Sequence, residues 1–250
     1  MSQDIEGQRA IVVGAASGIG RAAATLLAER GALTICADIQ EAEVKSVASD
    51  LRSRGLSAEA LVVDVELSDS IDTCVSSAVD PDGLDILVNC AGITGATGIA
   101  GHEVDEDDFD RVYRVNLRGS FLLSKAVLPV MSDSGYGRVL HVASIAGKEG
   151  NAGMLAYSAT KAGIIGMVKT LGKDYALQGV TVNALAPAVI QTPMVERLPQ
   201  PQVEYMTARI PMGRTGSLDE AAELIAWIVS PACSYITGFT FDLSGGRAVY

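Results

Sequence analysis

Seven short runs rich in β-branched residues alternate along this chain with longer amphipathic stretches, and few folds accommodate that alternation. The runs are Ala10–Val13, Leu33–Ala37, Ala58–Val63, Asp85–Asn89, Gly137–Ala143, Val180–Ala186 and Phe239–Leu243. Helical periodicity lies between them, near 18–30, 41–54, 68–79, 105–131, 155–177 and 219–229. Strands that point the same way need crossovers of about a dozen residues or more, which helices supply. The pattern therefore predicts an α/β chain with a doubly wound parallel sheet of about seven strands flanked by helices. With 48% hydrophobic residues over 250 positions, residues 1–250 are expected to form one domain around one substantial core. The single long irregular segment, 188–217, carries Pro193, Pro199, Pro201 and Pro211 and reads as a substrate loop or lid.

Composition removes several classes of function. A net charge of −11 repels phosphate polymers, so nucleic acid is not an expected partner. It also disfavours an acidic carrier protein. No run approaches the ~18 apolar residues of a membrane span, and Met1-Ser2-Gln3-Asp4-Ile5-Glu6 is polar and acidic. No membrane partner and no secretory signal are expected, which makes a cytoplasmic location the expectation. Cys36, Cys74, Cys90 and Cys233 show no C-x-x-C spacing and read as reduced thiols, with no metal site.

The first strand run leads into Gly14-Ala15-Ala16-Ser17-Gly18-Ile19-Gly20, with a helix beginning near Arg21. Glycines there bend the chain and clear side chains from backbone N–H groups at a helix N-terminus, which attracts a pyrophosphate. The spacing Gly-x-x-x-Gly-x-Gly differs from the commoner Gly-x-Gly-x-x-Gly fingerprint, but its place between strand and helix is the same. Asp38 then closes the second strand run, where a carboxylate accepts hydrogen bonds from both ribose hydroxyls of a dinucleotide. A 2′-phosphate would meet repulsion of roughly 4 kcal/mol for unit charges ~4 Å apart at an effective dielectric near 20. Neither Ala15 nor Ala16 supplies a compensating cation, so NAD is favoured over NADP. The competing role for Asp38 is a cap on the helix starting near Gln40, worth about 1 kcal/mol.

Tyr157 and Lys161 stand four residues apart, so a helix projects their phenol and ammonium from one face. A free tyrosine keeps its proton to about pH 10. A nearby positive charge favours the phenolate and lowers that value, making the phenol usable as a general acid or base.

In combination these residues resemble the classical short-chain dehydrogenases/reductases, and the resemblance covers nearly the whole chain. It is carried by the glycine turn 14–20, Asp64-Val65, Asn89-Cys90-Ala91-Gly92, Asn116, Ser144, Tyr157-x-x-x-Lys161 and Pro187 through Thr192, all in the family's order and intervals. What it implies is a single Rossmann-type domain with Asn116, Ser144, Tyr157 and Lys161 as catalytic tetrad. Gly14, Ser17, Gly18, Ile19, Gly20 and Asp38 would hold NAD, as would Tyr157, Lys161 and Pro187. Asp64 and Val65 would hold its adenine, Asn89, Ala91 and Gly92 would line its groove, and Ile190 with Thr192 would bind the nicotinamide amide. Three positions depart from the family pattern: Val13 for a threonine, Cys90 for a second asparagine, and Ala188 for a glycine. None is a proton-transfer group.

On this resemblance Tyr157 exchanges the substrate hydroxyl proton, Lys161 lowers its pKa and bonds the nicotinamide ribose, and Asn116 holds a water that passes the proton onward. Ser144 would fix the substrate oxygen rather than act as nucleophile, since that role needs a base and the chain has only His102 and His141. His141 lies inside an apolar strand and reads as a satisfied core residue, and His102 as a solvated loop residue.

The expected pocket wall mixes polar and apolar groups and suits a small polar alcohol, with Ser144, Ile145, Lys148, Asn151, Tyr157, Met194 and Arg247 as candidate substrate contacts. The segment from Asp242 to Tyr250 looks like that of family members acting on sugar acids, including 2-keto-3-deoxy acids, where a cation would pair with the substrate carboxylate. Arg247 would reach a neighbouring subunit's cleft in the homotetramers typical of the family, or else belong to a frayed terminus. Three readings remain: an NAD-dependent dehydrogenase of a sugar acid or polyol, a 3-oxoacyl thioester (acyl-carrier-protein) reductase, and a non-enzymatic NAD-sensing regulator.

Overall fold

The computed structural model describes residues 5–81, 83–192, 195, 204 and 207–248. Its centre is one seven-stranded sheet in the order β3-β2-β1-β4-β5-β6-β7, and every neighbouring pair runs parallel. The strands are β1 (Arg9–Val13), β2 (Leu33–Asp38), β3 (Ala58–Val62), β4 (Ile86–Asn89), β5 (Gly137–Val142), β6 (Val180–Pro187) and β7 (Thr240–Leu243). All seven expected runs are strands, with ends shifted by no more than one residue. The helices are α1 (Gly18–Glu29), α2 (Glu41–Ser53), α3 (Ser68–Ala78), α4 (Glu106–Tyr113), α5 (Gly119–Ser134), α6 (Ala146–Glu149), α7 (Leu155–Asp174) and α8 (Leu218–Ile228).

Alternation along each strand sorts the core into two layers. Ile11 and Val13 of β1 join Ile71, Leu123, Val127 and Ile164 on one face; Ala10 and Val12 join Ala24, Leu27, Val44 and Ile225 on the other. α3, α5 and α7 therefore cover one face, and α1, α2 and α8 the other.

The order reverses between β1 and β4, and ligands bind parallel α/β sheets in the crevice at such a switch point. Backbone contact joins the two strand ends there: the Cys90 N–H donates to the Val13 carbonyl at 2.8 Å. A Cβ on Gly14 would stand 2.8 Å from the Ala91 nitrogen, and Gly14 adopts a left-handed φ of 83°, so both space and conformation require glycine.

One expected helix is not continuous. The 105–131 stretch divides at a π-helical turn, Arg114–Arg118, where the Gly119 N–H donates to the Arg114 carbonyl five residues back. Gly119, at the end of the turn, packs on Val65, where a Cβ would sit 3.1 Å from its side chain. Among the described residues no helix is long and apolar enough to cross a membrane.

Candidate active site

The catalytic candidates come from three elements that meet at the carboxyl ends of the strands. Ser144 follows β5; α7 carries Tyr157 and Lys161 on one face; Asn116 sits in the π-turn. Gly147 lets α6 close on α7, because a Cβ there would stand 2.6 Å from the Lys161 carbonyl carbon.

Ser144 stands close enough to Tyr157 to pull its phenol pKa down, and its Oγ accepts from the Ala146 N–H at 3.1 Å. Lys161 is buried; its Nζ donates to the Val142 carbonyl at 2.6 Å and stands 5.7 Å from the centre of the Tyr157 ring. Burial lowers the Lys161 pKa to about 8, with a smaller opposing pull from Cys90. For Tyr157 burial also dominates and raises the phenol pKa, while Ser144 lowers it less. This corrects the expectation that Lys161 brings the phenol down. In the protein alone desolvation wins, and Tyr157 is protonated at neutral pH.

Asn116 is fully buried and braces the site. Its Oδ1 accepts from the Ile93 N–H at 2.8 Å, and its Nδ2 donates to the Ile93 carbonyl at 2.9 Å and to Thr160 Oγ1 at 3.1 Å. The amide expected to hold a water thus ties the 93 strand-end loop to α7, and the Asn116 carbonyl accepts from Ser120 Oγ at 2.6 Å.

The cofactor candidates fit a dinucleotide. A Cβ on Gly20 would fall 2.1 Å from the Gly14 carbonyl oxygen, so the turn closes with bare backbone facing the crevice. Ser17 is exposed at the α1 N-cap with no side-chain capping bond, and the first turn of that helix has no acidic residue. Anion binding meets no carboxylate from that first turn. Asp38 Oδ2 accepts from the Ala16 N–H and Oδ1 from the Gln40 N–H, both at 3.0 Å. The carboxylate thus braces both the glycine turn and the start of α2. Asp64 Oδ1 accepts from the Glu66 N–H at 2.9 Å, and Val65 is buried beside it. Asn89 Oδ1 accepts from the Ala91 N–H at 3.1 Å, shaping the turn through Gly92, where a Cβ would stand 3.2 Å from both Asn116 Oδ1 and Lys161 Nζ.

The segment after β6 crosses toward the same turn. The Pro187 carbonyl accepts from the Ile145 N–H at 3.1 Å, Ile190 bridges to Gly216, and Thr192 Cγ2 lies 3.8 Å from where a Cβ on Gly18 would be. Gln191 and Gly216 join the two ends of the 188–217 segment through a 2.7 Å backbone bond.

The substrate candidates divide. Ser144, Ile145 and Tyr157 gather at the site, whereas Lys148 and Arg247 are held by carboxylates of their own chain. Lys148 Nζ donates to both oxygens of Asp242 at 2.9 and 2.8 Å. Arg247 donates to Glu149 Oε2 at 3.0 and 2.8 Å and to Asn151 Oδ1 at 3.1 Å. The 244–248 segment is therefore packed rather than frayed: Ser244 Oγ accepts from the Ala248 N–H at 3.1 Å. Met194 and Tyr250 lie outside the described residues. A cavity of about 350 Å³ lies between 188–189, 210–216 and 242–248, and no member of the tetrad lines it.

Sequence reasoning missed Thr160, the Val142 carbonyl and the serines at 120 and 124. A signal existed for the serines: Asn116, Ser120 and Ser124 recur every four residues, a polar seam on a largely apolar helix.

The sequence model of the family described as enoyl-(acyl carrier protein) reductase matches residues 14–248. The chain is 42% identical to the 2-dehydro-3-deoxy-L-rhamnonate dehydrogenase (NAD(+)) of Sphingomonas sp. strain SKA58, over 98% of this chain and 96% of that protein. It is 38% identical to the 3-oxoacyl-[acyl-carrier-protein] reductase FabG of Thermotoga maritima, over 98% of this chain and 99% of that one. The crystal structure of gox2181 superposes with a TM-score of 0.95 at 31% identity, covering 99% of both chains.

Proposed function

As this chain belongs to the short-chain dehydrogenase/reductase family, we propose that it transfers a hydride between NAD and the secondary alcohol or ketone of a sugar acid or polyol, with Tyr157 as general acid/base. The observation that carries this reading is the placing of Lys161 Nζ 5.7 Å from the Tyr157 ring centre, with Ser144 beside the phenol, at the strand ends that also hold the glycine turn.

Gly14, Ser17, Gly18, Ile19 and Gly20 would hold the pyrophosphate of NAD, and Asp38 its adenosine ribose. When bound, NAD supplies the ring carbon that accepts or returns the hydride. The remaining chemistry belongs to the chain. In reduction the neutral Tyr157 phenol donates its proton to the developing alkoxide while Ser144 fixes that oxygen. In oxidation Tyr157 must first lose its proton, and the buried ammonium of Lys161 offsets the resulting negative charge. Asn116 keeps the Ile93 loop and α7 in register.

The segment 188–217 acts as the substrate loop of this single-domain enzyme. The similarity to a sugar-acid dehydrogenase supports a carboxylated substrate, for which Arg247, beside Asn151 at the rim, is the candidate partner. A homotetramer is supported by exposed apolar residues on α4, α5, α7 and α8 (Tyr113, Phe121, Leu155 and Trp227) and just before β7 (Phe239). The four free cysteines support a cytoplasmic location.

The similarity to a 3-oxoacyl-[acyl-carrier-protein] reductase favours a second reading, which Asp38 disfavours if that reaction draws on NADPH. A panel of sugar acids, polyols, ketoacids and 3-oxoacyl thioesters assayed with NAD(H) and NADP(H) decides between them. Turnover of a sugar acid or polyol with NAD ahead of any thioester supports the proposal, and the reverse ranking overturns it.

A further inference from the structure

We propose that His141, outside the tetrad and away from substrate, is a positioning residue that sets the active-site backbone through a closed ring of hydrogen bonds with Asn89, Ser120 and Ser124. This rests on the proposed dehydrogenase reading only for its kinetic readout.

The ring is built on strand register. Asn89 of β4 pairs with His141 of β5, and both side chains leave the sheet on the face covered by α5. Asn89 Nδ2 lies 3.2 Å from His141 Nδ1 and 2.9 Å from Ser120 Oγ; His141 Nε2 lies 2.9 Å from Ser124 Oγ. Ser124 Oγ donates to the Ser120 carbonyl at 2.9 Å, and Ser120 Oγ donates to the Asn116 carbonyl at 2.6 Å.

Hydrogen counting gives these contacts one assignment. An amide nitrogen only donates, so His141 Nδ1 must accept and its proton must lie on Nε2. Nε2–H then donates to Ser124 Oγ, whose own proton is committed to the Ser120 carbonyl. Every member is used, and all four residues are buried. Burial, with Lys161 nearby, pushes the His141 pKa down to about 3, so the ring holds a neutral imidazole at working pH.

Two active-site segments hang on this ring. Asn116 lies in the π-turn, and Ser120 Oγ secures its carbonyl. The remaining oxygen of Asn89 fixes the Ala91 N–H in the cofactor crevice. Beyond His141, the same strand presents the Val142 carbonyl that anchors Lys161, then Ser144. Loss of the imidazole leaves a buried amide hydrogen of Asn89 without an acceptor, and rotation of Asn89 to relieve that releases both segments.

The test compares His141→Leu, His141→Asn and Ser124→Ala, each in the full-length protein well below its melting temperature. The Oδ1 of His141→Asn can accept from Asn89, whereas leucine cannot. Expected for His141→Leu are an NADH dissociation constant raised about tenfold and a kcat lowered about tenfold or more, since small misplacements cost large factors. His141→Asn recovers most of the NADH affinity, and Ser124→Ala falls between. A folded His141→Leu protein matching wild type within about twofold in both quantities overturns the proposal, as does equal loss in the Leu and Asn variants. If His141→Leu does not fold, the wild-type protein still decides. The two histidines are resolved by ¹⁵N NMR with His102→Gln as the assignment control. A neutral Nε2–H tautomer for His141 at neutral pH is expected, and an Nδ1–H or imidazolium form overturns the ring. Failure of wild type to bind NADH would instead count against the dehydrogenase reading.

Discussion

Lys161 Nζ donates to the Val142 carbonyl at 2.6 Å while standing 5.7 Å from the centre of the Tyr157 ring. The ammonium is thus anchored on the sheet and faces the phenol across the α7 turn. Its position is fixed by strand backbone, so its field on the phenol oxygen does not depend on a mobile side chain.

On the proposed reading Tyr157 exchanges the substrate proton, so Tyr157→Phe is expected to lower kcat by about 10²–10⁴. Burial raises the Tyr157 pKa in the protein alone. The oxidative rate, which needs the phenolate, should therefore rise with pH, and the reductive rate, which needs the phenol, should fall. Initial rates in both directions across neutral to alkaline pH check the sign.

Asp38→Ser should relax cofactor choice. Removing a repulsion of roughly 4 kcal/mol predicts that the ratio of kcat/KM for NAD to that for NADP falls by at least about a hundredfold. The loss of bonds to Ala16 and Gln40 should also weaken NAD binding. Kinetics with both coenzymes separate the two effects.

Acid should destabilise the fold through His141. Its pKa drops from 6.5 in the unfolded chain to about 3 in the fold. The unfolded state therefore takes the proton first, and stability is lost as pH falls through that window. The loss is about 1.4 kcal/mol per pH unit below the unfolded value. Lys161, lowered from 10.5 to about 8, gives a gain in stability as pH rises between those values. Urea unfolding at pH 7 and pH 5 should show wild type losing about 2 kcal/mol more than His141→Asn.

Gly147→Ala places a methyl 2.6 Å from the Lys161 carbonyl carbon, a backbone contact that no side-chain motion relieves. It should cost about 1–3 kcal/mol of stability and shift α7, lowering kcat more than it raises substrate KM. Thermal denaturation and steady-state kinetics on one preparation test both.

Removal of residues beyond Gly246 takes away Arg247 and frees Glu149. KM for a carboxylated substrate should rise about tenfold or more, with little change for a neutral polyol. An unaltered KM for the acid would exclude Arg247 from substrate recognition.

Most of the fold was legible because period-two and helical apolar patterns are local signals, and Asn89, Ser144, Tyr157 and Lys161 follow strand ends or share a helix face. What stayed hidden depends on tertiary context. The π-turn at 114–118 ends where Gly119 packs on Val65, a contact between residues distant in sequence. The direction of the Tyr157 shift follows from burial, which no spacing reveals. His141 read rightly as a satisfied core residue, but its partners Asn89 and Ser124 come from other elements. The pairing of Arg247 with Glu149 likewise joins residues about a hundred positions apart.

Since all seven strands run one way, their outgoing ends deliver the chemistry to a single rim. The sheet beneath is indifferent to what that rim handles. Exchanging a few connecting segments would re-target the enzyme to another alcohol without disturbing either packed layer, which makes this scaffold a ready starting point for altered selectivity.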